Sequence, residues 1–320
     1  MSFAILQQKI NAKKNPTVMG LDPKLEYAPP HIIDEVTAKF GKTKKAAGEA
    51  LFLFNKGLID ACYDLIPAVK PQSAYYEMYG LDGLEALYKT VEYAKSKDLY
   101  VILDGKRNDI GATAEAYSAA YLGETEIFGE SQNMLDADCL TVNPYLGIDG
   151  IQPFIDNCVK FNKSIFVLVK TSNKSSGDFQ DIIVSSAADV DGKPFYEKVA
   201  QSVIQWGDSC KNVGTNCVRP LDFRYNPVGA VVGATYPQQL ADLRKLMPHT
   251  FFLVPGFGAQ GGAADDVKPA FDKNGGGAIV NSSRAIMCAW MKSGDGENFG
   301  GLAREEVIRM RYAIAGVVGR

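Results

Sequence analysis

The chain has 320 residues, 46% of them hydrophobic and 22% charged, which is the composition of a globular protein with ample core material and not of a disordered one. Its 34 Lys and Arg against 37 Asp and Glu leave a net charge of −3, so no basic field favours nucleic acid or anionic lipid, and an anionic ligand has to be held by local groups. The six cysteines (Cys62, Cys139, Cys158, Cys210, Cys217 and Cys288) form no C-x-x-C pair and read as reduced thiols, while His31 and His249 lack metal-ligand spacing. With no apolar run of about 18 residues, and with Met1 to Lys14 lacking the apolar stretch of a signal peptide, the expectation is a cytoplasmic protein that does not cross a membrane.

In chain order, short β-rich apolar runs at 17–21, 65–69, 99–103, 138–142, 164–169, 228–233, 250–254 and 278–280 predict strands. Helical periodicity lies between them at 81–97, 113–135, 148–161, 195–211, 237–246 and 265–272. This alternation predicts an α/β chain folded as a single (β/α)8 TIM barrel domain over 1–320. A doubly wound sheet would carry a Gly-rich turn after its first strand, where Gly20-Leu21-Asp22-Pro23 stands instead. The stretches 171–194 and 214–227 exceed ordinary loop length and are either cover for a site or insertions.

Catalytic groups of such barrels cluster where strands finish. The run Leu99-Tyr100-Val101-Ile102-Leu103 leads straight into Asp104-Gly105-Lys106-Arg107-Asn108-Asp109-Ile110-Gly111, which puts two carboxylates and an ammonium in one small space. Strand alternation would point Asp104 and Lys106 the same way. The alternative is a solvated turn with Asp109 as a helix N-cap. Other strand ends supply Asp22, Lys70, Asn143, Lys170, Thr171 and Ser172. Beyond the last two strands, Pro255-Gly256-Phe257-Gly258-Ala259-Gln260-Gly261-Gly262 and Asn281-Ser282-Ser283-Arg284 suit a phosphate: Gly256 and Gly258 let backbone amides approach it, Gln260 can reach it, and Arg284 can clamp it.

Taken together, Gly20-Leu21-Asp22-Pro23, Val69-Lys70-Pro71, the Asp104 to Gly111 motif with Thr113, Val169-Lys170-Thr171-Ser172-Asn173, the Pro255 to Gly261 loop and Ser283-Arg284 resemble the orotidine 5′-monophosphate decarboxylase family, in its longer-chain branch. The resemblance covers nearly the whole barrel. It implies decarboxylation of orotidine 5′-monophosphate to UMP in pyrimidine biosynthesis, with no metal or organic cofactor. It also implies a tetrad of Lys70, Asp104, Lys106 and Asp109 in a homodimer whose Asp109 and Thr113 reach into the partner's site. Asp22, Lys70 and the partner's Asp109 would hold the ribose hydroxyls, Ser172 the pyrimidine, and Gln260 and Arg284 the phosphate. Two rivals remain: the magnesium-dependent 3-keto-L-gulonate 6-phosphate decarboxylase, which the Asp109-Ile110-Gly111 ending disfavours, and a silent phosphate-binding barrel, for which alternating charges at strand ends have no use.

Overall fold

The structure is a computed structural model that describes residues 2–186, 189–210, 225–257 and 264–319. Its strands are β1 (Thr17–Leu21), β2 (Ala68–Pro71), β3 (Tyr100–Arg107), β4 (Thr125–Ile127), β5 (Glu130–Gln132), β6 (Cys139–Val142), β7 (Ser164–Lys170), β8 (Ile183–Ser186), β9 (Asp189–Pro194), β10 (Val228–Val232), β11 (Phe252–Val254) and β12 (Ala278–Ser282). Eight of them close a parallel barrel in the order β1-β12-β11-β10-β7-β6-β3-β2, and β4-β5 and β8-β9 are separate antiparallel hairpins. The barrel strands read as near-continuous apolar runs because both of their faces are covered.

The helices are α1 (Ser2–Lys13), α2 (Pro30–Phe40), α3 (Lys44–Cys62), α4 (Ala74–Glu77), α5 (Gly80–Ser96), α6 (Gly111–Leu122), α7 (Gln152–Phe161), α8 (Gly177–Gln180), α9 (Phe195–Ser209), α10 (Pro237–Leu246), α11 (Ala264–Val267), α12 (Arg284–Met287) and α13 (Phe299–Val318). The larger core lies between the sheet and this ring: Leu51, Phe54 and Leu58 of α3, Val91 of α5 and Val307 of α13 pack on Val69, Val101 and Val280. A second cluster fills the barrel itself, and α1 plugs it. Phe3, Leu6 and Ile10, spaced i, i+3, i+7, meet Tyr100, Phe166 and Phe251, with the Phe3 and Phe251 rings stacked at 5.0 Å. Tyr100 and Ser164 begin their strands, so this plug closes the amino-terminal end of the barrel and leaves the carboxyl-terminal end for chemistry.

Four sequence expectations need correction. Residues 113–135 are not one helix: α6 stops at Leu122, capped by Gly123, and the β4-β5 hairpin follows. Its turn residues Phe128 and Gly129 both have positive φ (52° and 89°), the hairpin geometry that matches strand twist. The second strand starts at Ala68 and not at residue 65, because Leu65 and Ile66 still bond back to Cys62 at the end of α3. The third strand does not stop at Leu103 but continues to Arg107, so Asp104 and Lys106 lie within the strand while Asp109 lies beyond it. Finally, the long stretch after β7 contains α8 and the β8-β9 hairpin, whereas most of 214–227 falls outside the described residues.

Candidate active site

Lys70 and Asp104 sit on adjacent strands at the carboxyl-terminal end of the barrel, 4% and 7% exposed. Asp104 receives one ammonium on each oxygen: Lys70 Nζ at 2.6 Å from Oδ2 and Lys106 Nζ at 2.6 Å from Oδ1. The Thr141 hydroxyl on β6 also donates to Oδ1, at 2.9 Å. Burial by itself would raise the Asp104 pKa, but the two ammoniums outweigh it and hold the carboxyl well below the usual carboxylate range. Lys70 is the mirror case. Burial would lower its pKa, yet the neighbouring carboxylates of Asp104 and Asp22 raise it above its ordinary value. Asp104 is therefore an anion and Lys70 a cation at neutral pH.

Lys106 meets Asp104, though not by simple strand alternation. Leu103 pairs with Leu140 and Arg107 with Val142, so β3 takes four steps where β6 takes two. This bulge is accompanied by a φ of +46° at Lys106, a left-handed conformation that costs a non-glycine residue about 1–3 kcal/mol. The backbone N–H of Lys106 donates to Thr141 Oγ1 at 3.0 Å, and Arg107 C=O accepts from Asn143 N at 3.1 Å. The Lys106 side chain is 46% exposed, in contrast to that of Lys70, so one cation of the pair faces the barrel mouth.

Asp22 follows β1, and its Oδ1 is buried without a hydrogen-bond partner among the described residues. Gly20, opposite Lys70 in the register, is required here: a Cβ would lie 2.0 Å from Ser283 Oγ. Ser172 follows β7 against Gly233, whose Cβ would fall 2.9 Å from the Ser172 backbone nitrogen. Lys170 is engaged elsewhere. Its ammonium, 1% exposed, pairs with Asp181 at 2.7 Å between the rings of Tyr196 and Tyr236. Gln180 bonds Thr171 twice, at 2.9 and 2.8 Å, so these two residues secure the segment that carries Ser172.

Asp109 is not brought to this group within one chain. Its carboxylate accepts from Ile110 N at 2.8 Å at the start of α6, and Thr113 is exposed one turn further on. Arg284 is exposed at the start of α12, and Gly256 has φ +104°, where a side chain would be strained. Gly258 and Gln260 lie outside the described residues. Sequence reasoning missed Thr141; the available signal was a hydroxyl in the otherwise apolar strand Cys139–Val142. A cavity of about 720 Å³, lined by Phe179, Phe195, Val199 and Trp206, lies to one side and touches none of Lys70, Asp104 and Lys106.

Residues 55–292 match the Orotidine 5′-phosphate decarboxylase / HUMPS family. The chain belongs to this family. It is 44% identical over 322 residues to the orotidine 5′-phosphate decarboxylase of Rhodopirellula baltica, covering 99% of this chain and 100% of that one. The enzyme of the same name from Caldicellulosiruptor bescii is 43% identical over 285 residues, 89% of this chain and 88% of the relative. Among solved structures, one from Toxoplasma gondii superposes with a TM-score of 0.76 at 31% identity, covering 99% and 97% of the two chains. The OMP decarboxylase of Leishmania donovani gives 0.68 at 28%, covering 98% and 99%. The activity is that of an orotidine 5′-phosphate decarboxylase, a carboxy-lyase of pyrimidine biosynthesis that needs no cofactor.

Proposed function

We propose that Asp104 and Lys106, supported by Lys70 and by Asp109 of a second copy, carry out the decarboxylation of orotidine 5′-monophosphate. The observation that carries this reading is the single Asp104 carboxylate shared by a buried Lys70 and a half-exposed Lys106, each 2.6 Å away. Loss of CO2 breaks the bond from C6 to the carboxylate and leaves the electron pair on C6, in the ring plane and poorly conjugated with the carbonyls. The difficulty is to stabilise that charge without an electron sink. An ammonium fixed at C6 stabilises the carbanion and then gives it a proton, producing UMP and a neutral Lys106 that is recharged from solvent.

Asp104 adds a second effect. A substrate carboxylate about 4 Å from it, at an effective dielectric near ~20, is repelled by roughly 4 kcal/mol, or about three decades of rate. This is too little to explain catalysis, so the fixed Lys106 charge carries the larger share. Asp22, with its unpartnered buried oxygen, and Lys70 suit ribose hydroxyls, Ser172 suits the pyrimidine, and Gly256, Gly258, Gln260 and Arg284 suit the phosphate, whose binding drives closure of the site.

The reading extends to one barrel domain over 1–320 acting as a cytoplasmic homodimer with shared sites. Asp109, whose carboxylate caps Ile110 N in an exposed bond, and the exposed Thr113 are then available to serve the partner's site. Following the ultraviolet absorbance of orotidylate in excess EDTA tests the activity: turnover supports the reading, and loss of turnover on chelation favours the magnesium-dependent relative. Mixing inactive Lys106→Ala and Asp109→Ala proteins tests the sharing. Random reassortment restores one sound site in each hybrid dimer, for about a quarter of wild-type activity; a mixture that stays inactive overturns the shared site.

A further inference from the structure

We propose that Arg107 is a positioning residue for the reaction: from outside the barrel it clamps the β3 bulge that turns Lys106 onto Asp104. This rests on the role given to Lys106 above. Arg107 is the residue after the left-handed Lys106, and its guanidinium is held on several sides. Nη2 donates to Glu77 Oε1 of α4 at 2.5 Å and to Tyr121 Oη of α6 at 3.1 Å, Nε reaches the same hydroxyl at 3.3 Å, and Nη1 donates to Gly105 C=O at 3.3 Å. The rings of Tyr117 and Tyr121 lie 5.7 and 5.4 Å from the guanidinium carbon.

The bond to Gly105 C=O matters most. It closes a loop across Lys106, joining the backbone on one side of the strained residue to the side chain on the other, while Glu77 and Tyr121 tie that loop to two helices. From the barrel side, the Thr141 hydroxyl takes the Lys106 N–H and donates to Asp104. The bulge is thus gripped from both faces. Without the outer grip, Lys106 can relax towards ordinary extended geometry, and in a strand a one-residue change of phase sends a side chain to the opposite face. The planar fork is what allows one cation to serve Gly105 C=O, Glu77 and Tyr121 together from separate nitrogens, which the single nitrogen of an ammonium does not reproduce.

The test compares Arg107→Met, Arg107→Lys, Lys106→Ala and wild type by steady-state kinetics, UMP binding and thermal unfolding. The expected result for Arg107→Met is a fall in kcat of about 10- to 100-fold, the scale of a reacting group displaced by about 1 Å, with KM and UMP affinity within about two-fold. Arg107→Lys should regain the melting temperature but not kcat, which an ion pair serving only stability would not produce. Should Arg107→Met fail to fold, the double variant Glu77→Ala/Tyr121→Phe keeps Arg107 and removes two of its acceptors, and its kcat should fall about five-fold or more. Wild-type kcat in a folded Arg107→Met protein or in that double variant overturns the clamp. Wild-type turnover in Lys106→Ala overturns the catalytic assignment itself, so the two failures are told apart.

Discussion

Strand β3 has two ends that solve opposite problems. At its start, Tyr100 is buried and its hydroxyl lies 2.5 Å from Ser2 Oγ and 2.6 Å from Ser164 Oγ, within a plug of Phe3, Leu6 and Ile10. The three hydroxyls there are neutral, hydrogen-bonded to one another and buried. At its finish, four residues on, Asp104 is buried between two ammoniums, and the backbone beyond it is bulged and left-handed. A stable end needs each polar group satisfied within the protein, whereas a reactive end keeps groups such as Asp22 Oδ1 unsatisfied and one ammonium open to the mouth. The barrel keeps the two apart along one strand.

The strongest way to break the contrast is at the mouth. Lys106→Ala should lower kcat by about four decades or more while UMP still binds, since it removes both the proposed proton donor and the fixed charge; single-turnover assays and UMP titration check this. Asp104→Asn should also cost stability, about 3–5 kcal/mol by denaturant unfolding, because Lys70 is then left buried without its counter-charge. The pH dependence follows from the same pair. Asp104 has a depressed pKa when folded, so its contribution is complete above about pH 4 and is lost as pH falls through the folded value; Lys70 has a raised pKa, so its contribution is complete below about pH 10.4 and is lost as pH rises through the folded value. Unfolding free energies across pH should slope at both extremes in wild type; in Asp104→Asn the acid slope should flatten, and the alkaline loss should shrink or reverse because burial then pulls the Lys70 pKa down.

At the plug, Leu6→Ala should cost about 2–5 kcal/mol of stability with kcat unchanged. Equal loss of activity in the still-folded variant would show that the two ends of the barrel are not separate.

What could be read from sequence divides along the same line. Strand ends were legible because a parallel strand covered on both faces is an apolar run, and a charge such as Lys70 or Asp104 at its edge interrupts that run. Thr141 was not, since a threonine is ordinary in a strand and only the fold brings its hydroxyl to Asp104 and Lys106 N. The plug was missed for a different reason. Residues 1–14 show local alternation of apolar and polar types, and the helical spacing of Phe3, Leu6 and Ile10 covers barely two turns. The bulge at Lys106 is invisible to a period-two reading, which brings the same two side chains together by the wrong route. Asp109 differs again, because the role proposed for it in a second copy's site would leave no trace in the contacts of one chain.

The finest test concerns the hydroxyl chain under the plug. Ser2→Ala removes one partner of Tyr100 Oη, but Ser164 Oγ remains 2.6 Å away, so no buried donor is stranded and the loss should be only about 0.5–1.5 kcal/mol by thermal unfolding. Tyr100→Phe should cost more, because it deprives both serines, which are fully buried. In each variant kcat should stay within two-fold of wild type (~2-fold), since the apolar residues Val101, Ile102 and Leu103 separate Tyr100 from Asp104 and hold the strand in register with β2 and β6. If Ser2→Ala instead lowers kcat as much as it lowers stability, β3 transmits strain along its length, and the quiet end of the barrel is part of the device that aims Lys106.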